Sequence, residues 1–190
     1  MRFADDMVVM CRTRAEAARA LEALRAILSE LGLTLKDAKT RIVELREGGE
    51  GLDFLGFHHR WVRGGTPASR HLCFLARWPS RQAMRRARER VHELTDRRRL
   101  REPVEEVVQD VNSFLRGWAG YFRYGNSAVA FDKITVHAFV RLAHFIAKRH
   151  KRSARYGWWV IHQSPDRMGL ISLSGTIVAP RPNRPWRKGR

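Results

Sequence analysis

Met1-Arg2-Phe3-Ala4-Asp5-Asp6-Met7-Val8-Val9-Met10-Cys11 places two adjacent carboxylates directly before an apolar, β-prone run. Asp tolerates turn geometry and Val prefers a pleated, half-buried surface, so the pattern predicts a tight turn entering a strand, with Asp5 and Asp6 at a hairpin tip. Like charges side by side repel, and hard oxygen ligands of this kind are stabilised by a divalent cation such as Mg²⁺. Two-metal phosphoryl transfer uses such a site, one ion on the attacking oxygen and one on the leaving oxygen. An Asp-Asp turn without a metal is the other reading of the dipeptide alone.

Charge locates the partner. Of 190 residues, 37 are Lys or Arg and 19 are Asp or Glu, a net charge of +18. Residues 1–75 carry 12 basic and 10 acidic side chains (+2), residues 76–190 carry 25 and 9 (+16). A field of that sign and size in the second half calls for a polyanion, with nucleic acid ahead of a membrane surface because no lipidation signal or long apolar run accompanies it. Thirty-one of the basic residues are Arg, suited to bidentate phosphate contacts. Cys11 and Cys73 are the only cysteines and sit in apolar runs, so buried reduced thiols are expected and a zinc knuckle is not. No signal-peptide pattern or transmembrane length occurs, which reads as a cytoplasmic protein.

Thr13-Arg14-Ala15-Glu16 is a capping box. Ala17, Leu21, Leu24, Leu28 and Leu31 then recur at helical spacing up to Gly32. Leu33-Thr34-Leu35 and Thr40-Arg41-Ile42-Val43-Glu44-Leu45 read as extended, and residues 52–62 and 71–75 as strands separated by Gly-rich turns. Trp78-Pro79-Ser80 closes this part. Residues 81–100 read as an arginine-rich helix, Glu102-Pro103 as a break, and Val104 to Phe122 as a second helix with Val107, Val108, Val111, Leu115, Trp118, Ala119 and Phe122 on one stripe. Gly125-Asn126-Ser127 caps a third, whose apolar face is Phe131, Ile134, Leu142, Phe145 and Ile146. The reading is α+β: β-hairpins plus one helix over residues 1–77, a three-helix bundle over 78–160, and a basic Pro/Arg-rich extension over 161–190. Leu170-Ile171-Ser172-Leu173 reads as a short strand in that extension.

Four signatures, in this order, resemble group II intron reverse transcriptases. Phe3-Ala4-Asp5-Asp6 is similar to the aromatic-x-Asp-Asp box, with Phe3 where that family usually has Tyr. Leu31-Gly32-Leu33-Thr34-Leu35 with Lys39-Thr40 follows it. Phe54-Leu55-Gly56-Phe57 resembles the start of the primer grip. Asn112-Ser113-Phe114-Leu115-Arg116-Gly117-Trp118-Ala119-Gly120-Tyr121-Phe122 resembles the core of the maturase-specific domain, also called thumb or domain X. The resemblance implies a partial polymerase palm followed by a maturase thumb, with Asp5 and Asp6 as catalytic Mg²⁺ ligands and Phe54, Leu55, Gly56 and Phe57 positioning the primer. Gly56 reads either as a site of close approach or as a bulge. Arg116, Tyr121 and Arg123 leave the apolar stripe of their helix and are candidate RNA contacts. Lys148, Arg149, Lys151, Arg152 and Arg155 join them, because the run they form continues into Tyr156-Gly157-Trp158-Trp159 and interleaves cations with aromatics. One of the two tryptophans is expected to be buried.

The departure from the family is also legible. The third metal-binding Asp and the fingers of the resembled polymerases lie upstream of the box, and the sequence begins just ahead of it. The implied function is therefore that of part of an RNA-directed DNA polymerase and maturase: binding of group II intron RNA and assistance of splicing, with primer-template duplex as a further partner and reverse transcription only in the complete protein or with fingers and palm supplied in trans. DNA cleavage is not expected. The competing readings are a non-catalytic RNA-binding module and a remnant of a mobile element without function.

Overall fold

Every fully buried hydrophobic side chain among the described residues lies at or beyond Ala76. The computed structural model describes residues 2–3, 6–163 and 167–178, and the chain divides into two compact units, Met1–Leu75 and Ala76–Arg190.

In the first unit β1 (Arg2–Phe3) pairs antiparallel with β2 (Asp6–Met7), Phe3 opposite Asp6. Helix α1 (Arg14–Glu30) begins where the Thr13 hydroxyl accepts the Glu16 backbone N–H at 3.1 Å. The Glu16 carboxylate reaches back one residue further than a capping box would, accepting the Arg12 N–H at 2.8 Å. At the other end the N–H groups of Leu33 and Gly32 return to the carbonyls of Leu28 and Ser29, a Schellman closure. The stripe Ala17, Leu21, Leu24 and Leu28 is only half-covered, and Leu31 leaves it altogether, 67% exposed.

Two expected strands are absent. Residues 33–35 and 40–45 form no ladder, and the chain between them makes a 3₁₀ turn at Asp37–Lys39. Their β propensity has no neighbouring strand to pair with, and propensity alone does not hold an isolated strand. The stretch read as one strand from residue 52 is instead a hairpin: β3 (Leu52–Phe54) and β4 (Phe57–Arg63), with Phe54 opposite Phe57. Leu55 and Gly56 turn the chain with φ of 50° and 76°, the left-handed pair that a two-residue hairpin requires. Gly56 is thus neither a bulge nor a mid-strand gap. Strand β5 (Cys73–Pro79) adds to β4 after a 3₁₀ turn at Pro67–Ser69. Cys73 is exposed and Cys11 half-buried, so neither is the buried thiol expected.

The second unit is helical. Ser80 caps α2 (Arg81–Leu94) through the Ala83 N–H at 3.2 Å. This helix stops short of residue 100, because the Thr95 hydroxyl turns back to the Val91 carbonyl and Asp96 caps a separate 3₁₀ turn at Arg97–Arg99. Helix α3 (Val104–Phe122) buries Val107, Val108, Val111, Leu115, Ala119 and Phe122, with Trp118 half-buried against Phe122 and Phe131. Ser127 precedes α4 (Ala128–Arg149) without capping it; its hydroxyl donates to the Phe122 carbonyl at 2.9 Å. Asn126 instead pins the end of β5, its N–H donating to the Arg77 carbonyl at 2.6 Å and its amide oxygen accepting the Arg77 N–H at 3.3 Å.

Among the described residues the bundle has a fourth helix beyond the three expected. Residues 154–163 form α5 (Ala154–Gln163), which packs along α4 at a point where Gly157 lies directly on the Ala143 carbonyl. Trp158 is half-buried and Trp159 exposed, so neither tryptophan enters the core fully. Residues 170–173 form no strand but a strap over the bundle, with Leu170 and Leu173 buried. Side chains replace the strand partner it lacks: Asn112 donates to the Gly169 carbonyl at 2.8 Å and accepts from the Ile171 N–H at 3.0 Å, and the Thr135 hydroxyl accepts from the Leu173 N–H at 3.2 Å. The tail at residues 179–190 lies outside the described residues.

A methyl group at Gly157 would overlap the Ala143 backbone, which cannot yield as a side-chain tip can. Gly157→Ala is expected to destabilise the chain by roughly 1–3 kcal/mol despite alanine's better helix propensity. Gly120→Ala, on an exposed helical face with open space, is expected to stabilise it by up to about 1 kcal/mol. Denaturant titration of the two variants checks both signs.

Candidate nucleic-acid interface

Three surfaces carry the residues singled out by the sequence. At the first hairpin, Asp6 is exposed on β2, and Asp5 lies outside the described residues. No three His, Cys, Asp or Glu side chains among the described residues group so as to hold a metal ion.

The second surface is the β3–β4 hairpin, whose tip is the Phe54-Leu55-Gly56-Phe57 stretch. Phe54, Leu55 and Phe57 are half-buried and Gly56 is exposed. Across the hairpin, His58 Nδ1 meets Asp53 Oδ1 at 2.6 Å. Arg63, at the end of β4, binds both oxygens of Glu47 at 2.6 Å and the Arg70 carbonyl at 2.9 Å. That guanidinium, chiefly through its hydrogen bond, holds the Glu47 carboxyl below the usual range.

The third is the outside of the helical unit, where the arginines divide by what they touch. Arg99 binds Glu102, Asp110 and the Leu94 carbonyl, and the Glu102 hydrogen bond leads in raising its pKa further. Arg141 donates to the Thr95 hydroxyl and carbonyl at 3.1 and 3.2 Å. Arg149, read from sequence as an RNA contact, is half-buried and donates to the carbonyls of Leu100 and Glu102, tying the end of α4 to the α2–α3 connection. These three hold the bundle together. Lys148, Lys151, Arg152 and Arg155 are exposed, as are Arg116, Tyr121 and Arg123 on α3 and Arg81, Arg85, Arg86, Arg88 and Arg90 on α2.

Sequence reasoning passed over one feature of α3. Gly117 and Gly120 lie beside Arg116 and Tyr121 on its exposed side, with nothing of the chain within 4 Å of where their Cβ atoms would be. Each costs about 1 kcal/mol relative to alanine in a helix. Glycines inside an otherwise regular helix were the signal available.

These surfaces find their counterparts in two families. Residues 84–163 match the group II intron maturase-specific domain, and residues 1–59 match the reverse transcriptase (RNA-dependent DNA polymerase) family. Together the two matches support kinship with group II intron reverse transcriptases and maturases. The maturase match covers α2 through α5, the well-packed part, and the reverse transcriptase match runs through both hairpin tips. Polymerases of the second family depend on metal ions. No curated protein matches the chain. No described helix of the chain is long and apolar enough to cross a membrane.

The division among cations is testable by stability. Arg149→Ala is expected to cost roughly 1.5–3 kcal/mol, the loss of charge-assisted bonds to two carbonyls. Lys148→Ala should stay within about 0.5 kcal/mol of the parent chain in the same denaturant titration. A pH effect comes from His137 of α4, whose ring bonds the Arg88 backbone while its buried Nε2 has no partner. Burial first, then the charges of Arg88, Arg141 and His92, lowers its pKa below the ordinary 6.5. The unfolded chain thus takes up that proton before the folded one, so the contribution is fully present above pH 6.5 and lost as pH falls below it. His137→Gln is expected to flatten the decline of unfolding midpoint between roughly pH 7 and pH 5.

Proposed function

We propose that this chain acts through its helical unit as a binder of group II intron RNA. The observation that carries the reading is that exposed cations remain on α2, α3 and the α4–α5 end of a maturase-type bundle after Arg99, Arg141 and Arg149 are assigned to holding it together. A rigid scaffold that displays exposed cations suits phosphate recognition, and on α2 Arg85 and Arg90 are also paired with Glu89 and Glu93. Arg116, Tyr121 and Arg123 on α3, and Lys148, Lys151, Arg152 and Arg155 beyond it, are the contacts; Arg149 supports them. Assistance of splicing follows if binding favours the folded form of the intron.

In the complete polymerase, Asp5 and Asp6 serve as Mg²⁺ ligands and the β3–β4 tip at Phe54, Leu55, Gly56 and Phe57 positions the primer of a primer-template duplex. The ion would polarise phosphoryl oxygens when bound, and the chain's part is to present carboxylates on a tight hairpin. A specific observation favours completion by further polymerase structure: Met7, Val9, Met10, Leu31 and Leu33 are exposed apolar side chains in a unit without a buried hydrophobic core. Fingers and palm supplied in trans are the fitting complement.

Binding of the purified chain to a folded group II intron RNA, compared with an unrelated structured RNA of equal length across a salt series, tests the main reading. Preference for the intron that survives moderate salt is expected; equal and steeply salt-sensitive binding to both would overturn it. Replacing Lys148, Lys151, Arg152 and Arg155 by Gln should weaken binding and lower the salt slope by up to about four. Asp5→Asn should leave RNA affinity unchanged, yet abolish any Mg²⁺-dependent primer extension recovered by adding fingers and palm.

A further inference from the structure

From Lys133 to Gln163 the sequence carries seven Lys or Arg residues and no carboxylate. Arg141 and Arg149 in that stretch are held by backbone and Thr95, which leaves an exposed cationic rim where α4 ends and α5 begins. Lys151, with φ of 50°, makes the turn, and its neighbours Arg152 and Arg155 are exposed on either side of the α5 start. None of Lys151, Arg152 and Arg155 takes part in a salt bridge among the described residues.

Aromatic rings run through the same rim. Tyr156 and Trp159 are one helical turn apart on α5 and lie near parallel, centroids 6.3 Å apart at 29°. The ring of His150, at the end of α4, meets Tyr156 edge-on at 5.6 Å. Trp159 is 58% exposed at the end of this series. Its ring is steadied by Tyr156, while its neighbour Trp158 stacks on His162. An exposed indole in an otherwise well-packed helix is costly surface to leave in water unless something flat covers it.

We propose that the rim formed by Trp159, Tyr156, Lys151, Arg152 and Arg155 is a binding site for an unpaired RNA segment, distinct in its requirement from the sequence-independent charge contacts. Trp159 stacks a splayed base, and the three cations take the phosphates on either side. Within a duplex the bases are already stacked on one another, so only its two ends offer a free face, and an unpaired segment fits this site better. The inference rests on the RNA-binding reading above and adds which kind of RNA element this surface selects: a loop, bulge or single-stranded joint.

The test uses the full chain with two RNA probes of equal length, an unstructured single strand and a blunt duplex, each titrated against the parent, Trp159→Ala and Trp159→Phe. Trp159→Ala is expected to weaken single-strand binding on the order of tenfold, the scale of one lost base stack. Duplex affinity and both salt slopes should stay within about twofold, since no cation is removed. Trp159→Phe should restore most of the loss, which a merely structural role for the indole would not predict once thermal melts show all three proteins folded. Equal losses on both probes, or no loss on the single strand, would overturn the stacking site while leaving RNA binding intact. Failure of the parent chain to bind either probe would overturn the stacking site, while the intron titration above decides the RNA-binding reading on its own.

Discussion

Covering α4 is the constraint on which the helical unit depends. Eleven of its residues are buried, from Ala130 to Ala147, and α2, α3 and α5 all pack against it. Phe131, Ile134, Leu142, Phe145 and Ile146 are essentially withdrawn from water, each burial contributing roughly 1.5–3 kcal/mol. A helix with so wide an apolar surface cannot be satisfied by two neighbours, which explains why the chain continues beyond the cationic turn into α5 and then returns in the strap. The close seat of Gly157 on Ala143 follows from the same demand, since the α4–α5 pair lies backbone against side-chain-free backbone there. In the first unit no element is covered to this degree.

That asymmetry shapes the chemistry the chain displays. Arg99, Arg141 and Arg149 lock turns through carbonyls, a hydroxyl and carboxylates, while Arg85 and Arg90 pair with carboxylates on the exposed face of α2. Arg99 and Arg149 converge on the α2–α3 connection, so two cations share the carbonyls and acids of one short segment. The remaining positive field is fixed in direction as a result.

How much of this was readable beforehand depends on whether a signal was local. The α3 and α4 stripes were legible because a 3.6-residue period reports burial directly, and the residues it named are buried except Trp118, which is half-buried. The α1 stripe predicted a helix but not how fully it would be covered, which depends on partners. Residues 33–35 and 40–45 have strand-forming composition, yet a strand exists only with a neighbour to bond. Leu55-Gly56 was missed as a turn because leucine is an unusual residue at positive φ, and the flanking aromatics suggested continuity. Asn112 interrupts an apolar stripe, and nothing nearby in the chain shows that it answers the backbone of Gly169 and Ile171 more than fifty residues later. For the site, composition located the positive field correctly in the second half, but a run such as Lys148-Arg149-His150-Lys151-Arg152 gives no hint that its second member is a bracket and its neighbours are exposed.

The strap adds a dimension of time. Asn112 and Thr135 sit on helices made well before their partners Gly169, Ile171 and Leu173 leave the ribosome. Until then a buried amide and a buried hydroxyl lack the backbone groups they serve, and the surface later filled by Leu170 and Leu173 is open. Synthesis thus passes through a stage in which α2 to α4 are present but unfinished, until hydrogen bonds from the strap join it to α3 and α4. Completion of the bundle therefore waits until the strap itself has been synthesised.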